Sequence, residues 1–485
     1  MLQPASEESI IKLIDNLERT INAMYVSAKY ESLVLSTMAE SSFFKNIVEL
    51  KLSIHLMFID IFTEEKYMLI ADNEYMKRFH MKCIKTSLTE AYKGLFGWRK
   101  KSRSMWGVLE YHLLDKRYDE IRVEYKKIKT NLDMLGTKYD FKEVRDQTVH
   151  YSEDIINMYE VMYEQSSEDE VLRTINTYID VFHSMLLFCD KIVKNENVLC
   201  SSKINQLETF SDFTLHELAK RIINTKKKLS EVFEKTFPYA VNQWDCMAQY
   251  RKKVDQIKKN IETKFEMNVN NSGLDNIILL WNIDMSLRFM LLDFMTILYA
   301  YLKSSVIESI FIIRRIVIEK TASFGRLYGY DGNTKDRENS LWNKIKMLVP
   351  LSNVMLKSQL DEITTELDEM SQIWTEKENR HLYVHLIKDR KELPVVLLNL
   401  EQIDPLIYVN EITRLIVLVN KINLFVVDLM KCLQKDACME NAKSTEQDNE
   451  KIKSFERLFD DILDGKDKNI ILESMDKIRR MVDNI

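Results

Sequence analysis

Apolar side chains recur at three- and four-residue steps along most of the chain. That spacing gives a helix one buried face. In SEESIIKLIDNLERTINAMY the pattern opens after Ser6, whose hydroxyl suits an N-cap. Each half of the chain reads as several such amphipathic helices. Gly-marked loops fall at GLFGWRKKSRS (94–104) and GYDGNTKDRENS (329–340). The most apolar stretch is SLRFMLLDFMTILYAYLKSSVIESIFIIRRIVI (286–318), broken by Arg288, Asp293, Lys303 and Glu308. A membrane span wants about 20 nearly uncharged residues, so this stretch reads as a buried core helix. QKDACMENAKSTEQDNEKIK (434–453) is a polar connection, and FERLFDDILDGKDKNIILESMDKIRRMV beyond it supplies one or two last helices.

Nine Gly and five Pro in 485 residues leave too few turn-formers for a strand-rich fold, so the predicted class is all-α. Hydrophobic residues at 46% and charged residues at 30% are a globular balance. The net charge of −6 and pI of about 5.9 exclude a protein that coats nucleic acid through overall charge, so any RNA contact needs a local basic patch. The cysteines (Cys83, Cys189, Cys200, Cys246, Cys432, Cys438) form no C-x-x-C pair, which argues for idle thiols in a reducing compartment and against a zinc site. MLQPASEESI is polar and acidic, unlike a signal peptide, so the expected location is cytoplasmic, away from membrane.

The chain looks doubled. IDNLERTINAMY (14–25) resembles VDQIKKNIETKF (254–265), and SIHLMFIDIF (53–62) matches SLRFMLLDFM (286–295), with Asp60 on Asp293. LFG (95–97) matches LYG (327–329), and SMWGVLE (104–110) matches SLWNKIK (340–346). KEVRDQTVHY (142–151) and KENRHLYVHL (377–386) complete the series with an Arg five positions before a His in each. The number differences run 240, 233, 232, 236 and 235, in order, as a tandem duplication with small loop insertions would leave. The joint is expected within KTFPYAVNQW (235–244), where Pro238 interrupts a helix, dividing the chain into 1–237 and 238–485.

Arg145 with His150 and Arg380 with His385 hold three of the chain's eight histidines within two short stretches, counting His381. Arg grips phosphate with a planar fork, and His moves protons near neutral pH. Cleavage of a phosphodiester by the neighbouring ribose 2′-hydroxyl needs both and needs no metal. Positions five apart lie roughly 140° around a helix, so one motif aims its two side chains poorly at one point. Two motifs meeting at a shared cleft remove that difficulty.

R-x4-H on a helical bundle, with a polar residue after the Arg (Asp146 and His381 here), resembles the HEPN superfamily of ribonucleases. The resemblance implies two tandem HEPN-like bundles forming a pseudo-two-fold internal dimer, and metal-independent RNA cleavage to a 2′,3′-cyclic phosphate and a 5′-hydroxyl. It also implies a toxin or antiviral-defence role, with an antitoxin or regulatory protein as partner and the chain a monomer or homodimer. Arg145 and Arg380 would hold phosphate, His150 and His385 would be the acid and base, and Asp146 and His381 would orient them; no cofactor is implied. One subgroup carries a tyrosine two positions after the histidine; here Ser152 and Ile387 stand there. The alternative is a non-catalytic helical interaction protein with the same fold.

WRKKSRSMW (98–106) places Arg99, Lys100, Lys101 and Arg103 between two tryptophans, a candidate RNA contact. Trp106 has a repeat partner in Trp342, which favours a core role for it. TKKKLSEVFEK (225–235) and RKKVDQIKKN (251–260) read as solvated basic faces. His55, His80, His112, His183 and His216 lack metal-ligand spacing, and His112 and His183 are expected at the core or its boundary.

Overall fold

The structure is a computed structural model that describes residues 7–38, 43–97, 104–113, 119–138, 144, 167–195, 215–230, 272–329, 337–350, 352–373 and 393–441. Every regular element among these residues is an α-helix. In the first half they are α1 (Glu7–Thr37), α2 (Phe43–Leu69), α3 (Glu74–Phe96), α4 (Met105–His112), α5 (Asp119–Lys138) and α6 (Glu168–Asn195). A helical stretch over 215–230 follows. The second half has α7 (Ser272–Lys303), α8 (Val306–Tyr328), α9 (Leu341–Leu348), α10 (Val354–Ile373), α11 (Leu393–Gln402) and α12 (Pro405–Asn441). Ser6 lies outside the described residues.

Local sequence explains where these helices start and stop. Asn73 Oδ1 accepts the Met76 N–H at 3.0 Å to open α3. Ser305 and Glu308 open α8 with reciprocal side chain–backbone bonds of 3.3 and 2.8 Å. Ser104 and Ser340 cap α4 and α9, their hydroxyls accepting the Gly107 and Asn343 N–H groups at 3.0 and 3.2 Å. Gly97 and Gly329 end α3 and α8 at φ 80° and 87°, a backbone conformation that side chains with a Cβ rarely adopt. The apolar run 286–318 is therefore two helices rather than one. The Ser304–Ser305 turn divides it, because the Ser305 cap satisfies N–H groups that an unbroken helix would have paired internally.

Side-chain periodicity sorts the helices into layers. α1 buries Leu17, Ile21, Tyr25, Ala28 and Leu35, a single stripe, and packs along α2. α2 and α8 are buried nearly all round and run through the middle of the fold. α2 packs on α1, α3, α4 and α6; α7 packs on α8 and α12. Contacts between the halves join α2 to α8, α3 to α7 and α1 to α8 and α11. One apolar core runs through both halves, from Leu17 to Met430. The window of α7 that is long and apolar enough to cross a membrane, Leu279–Lys303, is 78% buried inside this core.

Trp106 and Trp342 are core residues, as their repeat match suggested. Trp106 stacks on Tyr125 with ring centroids 4.8 Å apart, and Trp342 donates its indole N–H to Thr364 Oγ1 at 3.1 Å. His112 is half-buried with its ring 4.8 Å from that of Phe43. His183 is exposed, contrary to expectation: the buried stripe of α6 is Val171, Ile175, Tyr178, Phe182, Met185 and Cys189, and His183 points away from it. Among the described cysteines, Cys83 and Cys189 are buried thiols and Cys432 is half-buried, none in a disulfide.

Where α3 meets α5, Gly136 faces the Tyr92 ring, and a Cβ there would overlap the phenol. Tyr92 is held by Phe96, 5.5 Å away between centroids. Ala is the better helix former by about 1 kcal/mol, yet Gly136→Ala is expected to lower stability by about 1 kcal/mol or more through overpacking. Chemical denaturation of the two proteins checks the sign.

Candidate functional site

One helical turn separates Asp60 from Glu64, so both carboxylates leave α2 on the same side. Opposite them α8 presents two adjacent arginines inside an apolar run, IFIIRRIVI. Arg314 Nη1 lies 2.6 Å from Asp60 Oδ1, and Arg315 Nε lies 3.0 Å from Glu64 Oε1. Ser87 of α3 bridges them: its hydroxyl donates to Asp60 Oδ2 at 2.5 Å and accepts from Arg315 Nη2 at 2.9 Å. His80 Nδ1 sits 2.7 Å from the other oxygen of Glu64.

A second pair lies on α3 and α7. Lys82 Nζ is 2.9 Å from Asp293 Oδ2, and the Tyr75 hydroxyl donates to Asp293 Oδ1. Glu319 of α8 is 3.7 Å from Lys82, and neither of its oxygens accepts a hydrogen bond among the described residues. At the rim, Lys66 reaches Glu308 at 2.8 Å and Glu18 at 2.6 Å. Asp60, Glu64, Asp293, Lys82, Arg314 and Arg315 are all buried.

Burial pushes the Asp60 carboxyl up, but the Arg314 and Arg315 charges and the Ser87 and Arg314 hydrogen bonds outweigh it and hold it below the usual carboxylate range. For Arg314, burial and the neighbouring Arg315 pull the value down although Asp60 opposes them. A guanidinium starts so high that it stays charged, so the Asp60–Arg314 contact is an ion pair. Burial raises the Glu319 carboxyl, with Lys82 opposing. Three carboxylates (Asp60, Glu64, Asp293) thus face three cations (Lys82, Arg314, Arg315), with Glu319 beside Lys82. Burial likewise keeps the Cys83 thiol protonated, so it is no nucleophile here.

The sequence carried a partial signal for this cluster. The repeat match placed Asp60 on Asp293, and two arginines stand in an apolar run. Nothing in the sequence paired Asp60 with Arg314 or Asp293 with Lys82. His55 and His80 are each buried against a glutamate, Glu31 and Glu64, at 2.7 Å. No group of three or more metal-ligating side chains occurs among the described residues.

Arg145, His150, Arg380, His385, Asp146, His381, Arg99, Lys100, Lys101 and Arg103 lie outside the described residues, so their mutual geometry is not among the distances above. Comparison with protein-family models, curated proteins and solved structures gave no match in any of the three.

Removing one partner of a buried ion pair strands the other, which costs about 3–5 kcal/mol, whereas replacing both by apolar side chains costs far less. Lys82→Met is expected to destabilise in that range, and Lys82→Met/Asp293→Leu to recover most of the loss, as read by denaturation midpoints. A different outcome is expected at Glu65. It is buried on α2 with Oε2 accepting no hydrogen bond among the described residues, and burial raises its pKa to about 7. Between its unfolded value near 4.5 and 7, the folded state holds a proton that the unfolded state releases, so this group lowers stability as pH rises through that window. Glu65→Gln should therefore gain up to about 3 kcal/mol above pH 7 and nothing near pH 4. A gain that is constant with pH would contradict the assignment.

Proposed function

We propose that this chain is a metal-independent endoribonuclease of the kind the HEPN superfamily exemplifies, with one active site built from both R-x4-H segments of a duplicated helical chain. The observation that carries the proposal is the equivalence of helices at corresponding places in the two halves: α3 and α8 are each 23 residues with a capping side chain before and a positive-φ glycine after, and α4 and α9 are each 8 residues with a serine cap. These correspondences support a duplication with its joint near 237–238. The cross-half pairs Asp60–Arg314 and Asp293–Lys82 support an internal dimer, because the two aspartates are repeat partners and each meets a cation from the other half.

In the proposed reaction Arg145 and Arg380 hold and neutralise the scissile phosphate. One of His150 and His385 takes the proton of the ribose 2′-hydroxyl as that oxygen attacks phosphorus. The other protonates the departing 5′-oxygen. The products are a 2′,3′-cyclic phosphate and a 5′-hydroxyl. Asp146 and His381 orient the pair, and Arg99, Lys100, Lys101 and Arg103 guide the RNA backbone. The biological setting we propose is a cytoplasmic toxin or antiviral-defence effector, restrained by an antitoxin or regulatory protein. A second reading, a helical interaction protein without catalysis, draws on the exposed apolar side chains Met347, Val354 and Met355 around the α9–α10 turn.

Purified protein should cleave RNA in the presence of EDTA and leave those two ends. His150→Ala and His385→Ala should each abolish most cleavage, and the double variant should be little worse, because residues acting as one unit are not additive. Products with a 5′-phosphate, or single variants that each keep half the rate, would sink the composite site. Unchanged cleavage by normally melting variants would favour the interaction protein.

A further inference from the structure

In the ionic core Glu64–Arg315 is a short ion pair without a charged counterpart. Aligning α3 with α8 by their caps puts Lys82 on Arg314 and Cys83 on Arg315. Aligning α2 with α7 by Asp60 on Asp293 puts Glu64 on Ile297. Asp60–Arg314 and Asp293–Lys82 are therefore reciprocal, each the image of the other. Glu64–Arg315 is not: its image would be Ile297 beside Cys83, which has no charge at all.

We infer that Glu64 and Arg315 form a pairing code that makes the α2–α3 face accept an α7–α8 face and reject a second copy of itself; the inference rests on the duplicated-chain reading above. Two α2–α3 faces brought together could re-form Asp60–Lys82 twice. Each would also bury Glu64 against Cys83, with no arginine for it. Two α7–α8 faces could re-form Asp293–Arg314 twice, and there Arg315 would meet Glu319, which stands at the Ser87 position, so the discrimination acts on the α2–α3 face. The pairing of unlike faces gives Glu64 its arginine, and two α2–α3 faces do not. His80 reinforces the asymmetry, because it completes the shell of Glu64 and is replaced at the image position by Ile312. The reciprocal pairs thus fit either partner, and the unreciprocated pair rejects the wrong one by leaving a buried charge.

The test uses the full-length chain with two double variants. Glu64→Leu/Arg315→Met removes the code and keeps both reciprocal pairs. Asp60→Leu/Arg314→Met removes a reciprocal pair and keeps the code. Each is refolded from denaturant over a range of protein concentrations and weighed by light scattering. Tagged and untagged copies are also co-expressed and purified on the tag. The first variant should melt near the parent, and its fraction at twice the parent's mass should rise at least about tenfold, the ratio that 1.4 kcal/mol of lost discrimination produces. The second should keep the parent's mass. If neither associates, or if the first melts as low as Arg315→Met alone, the pair is not a code. If both associate equally, the two-fold relation of the faces fails with it. RNA cleavage by the parent is scored separately, so a missing code and a missing nuclease give different results.

Discussion

Asp60, Glu64, Asp293, Glu319, Lys82, Arg314 and Arg315 are sealed in the centre of this fold, carried by helices from the two halves of the chain. Coulomb attraction in such an interior is strong, but removing the ions from water consumes most of it. The pairs therefore add little net stability over apolar side chains of the same size. Their effect is on geometry. Once α2 and α3 have formed, Asp60, Glu64 and Lys82 are buried only where Arg314, Arg315 and Asp293 come to meet them. Non-directional apolar contacts tolerate many packings of four central helices, whereas ion pairs of 2.6–3.0 Å tolerate one.

The outer helices inherit that arrangement. α1 lies along α2 and reaches over to α8 and α11, and the 215–230 stretch hydrogen-bonds through Arg221 to the end of α11 and through Lys226 to Ser304. A chain tied in this way holds α2 and α3 in a fixed relation to α7 and α8. A composite nuclease site has the same requirement, because an acid and a base from different halves must address one phosphate to within a fraction of an ångström. The proposed chemistry and the ionic core would in that case be selected together, the core setting the geometry and the motifs using it.

Acid exposes the same design. The depressed Asp60 carboxyl contributes stability that is complete above its unfolded value and is lost as pH falls through the folded one. Glu65, raised to about 7 by burial, works in the opposite sense over the window above 4.5. In the repeat alignment the Glu65 position is Leu298, an ordinary core residue, so the first half carries there a charge that the second half does without.

The sequence by itself determined the helical class and the Gly-marked ends of α3 and α8. Gly scarcity, three- and four-residue periodicity and Gly at helix ends are local properties that act through a few neighbouring residues. It also favoured a core role for Trp106 and matched Asp60 to Asp293. It misread the 286–318 run as one helix, because the Ser305–Glu308 cap inside it is a four-residue signal set in a much longer apolar pattern. It misplaced His183, because apolar neighbours in sequence lie on a different side of α6. The partners of the buried ions were decided only by tertiary structure. Arg314 lies 254 residues from Asp60 and Lys82 lies 211 from Asp293, and no helical period or cap spans such a distance. Each charge could be buried only after folding had brought its opposite across the centre of the molecule.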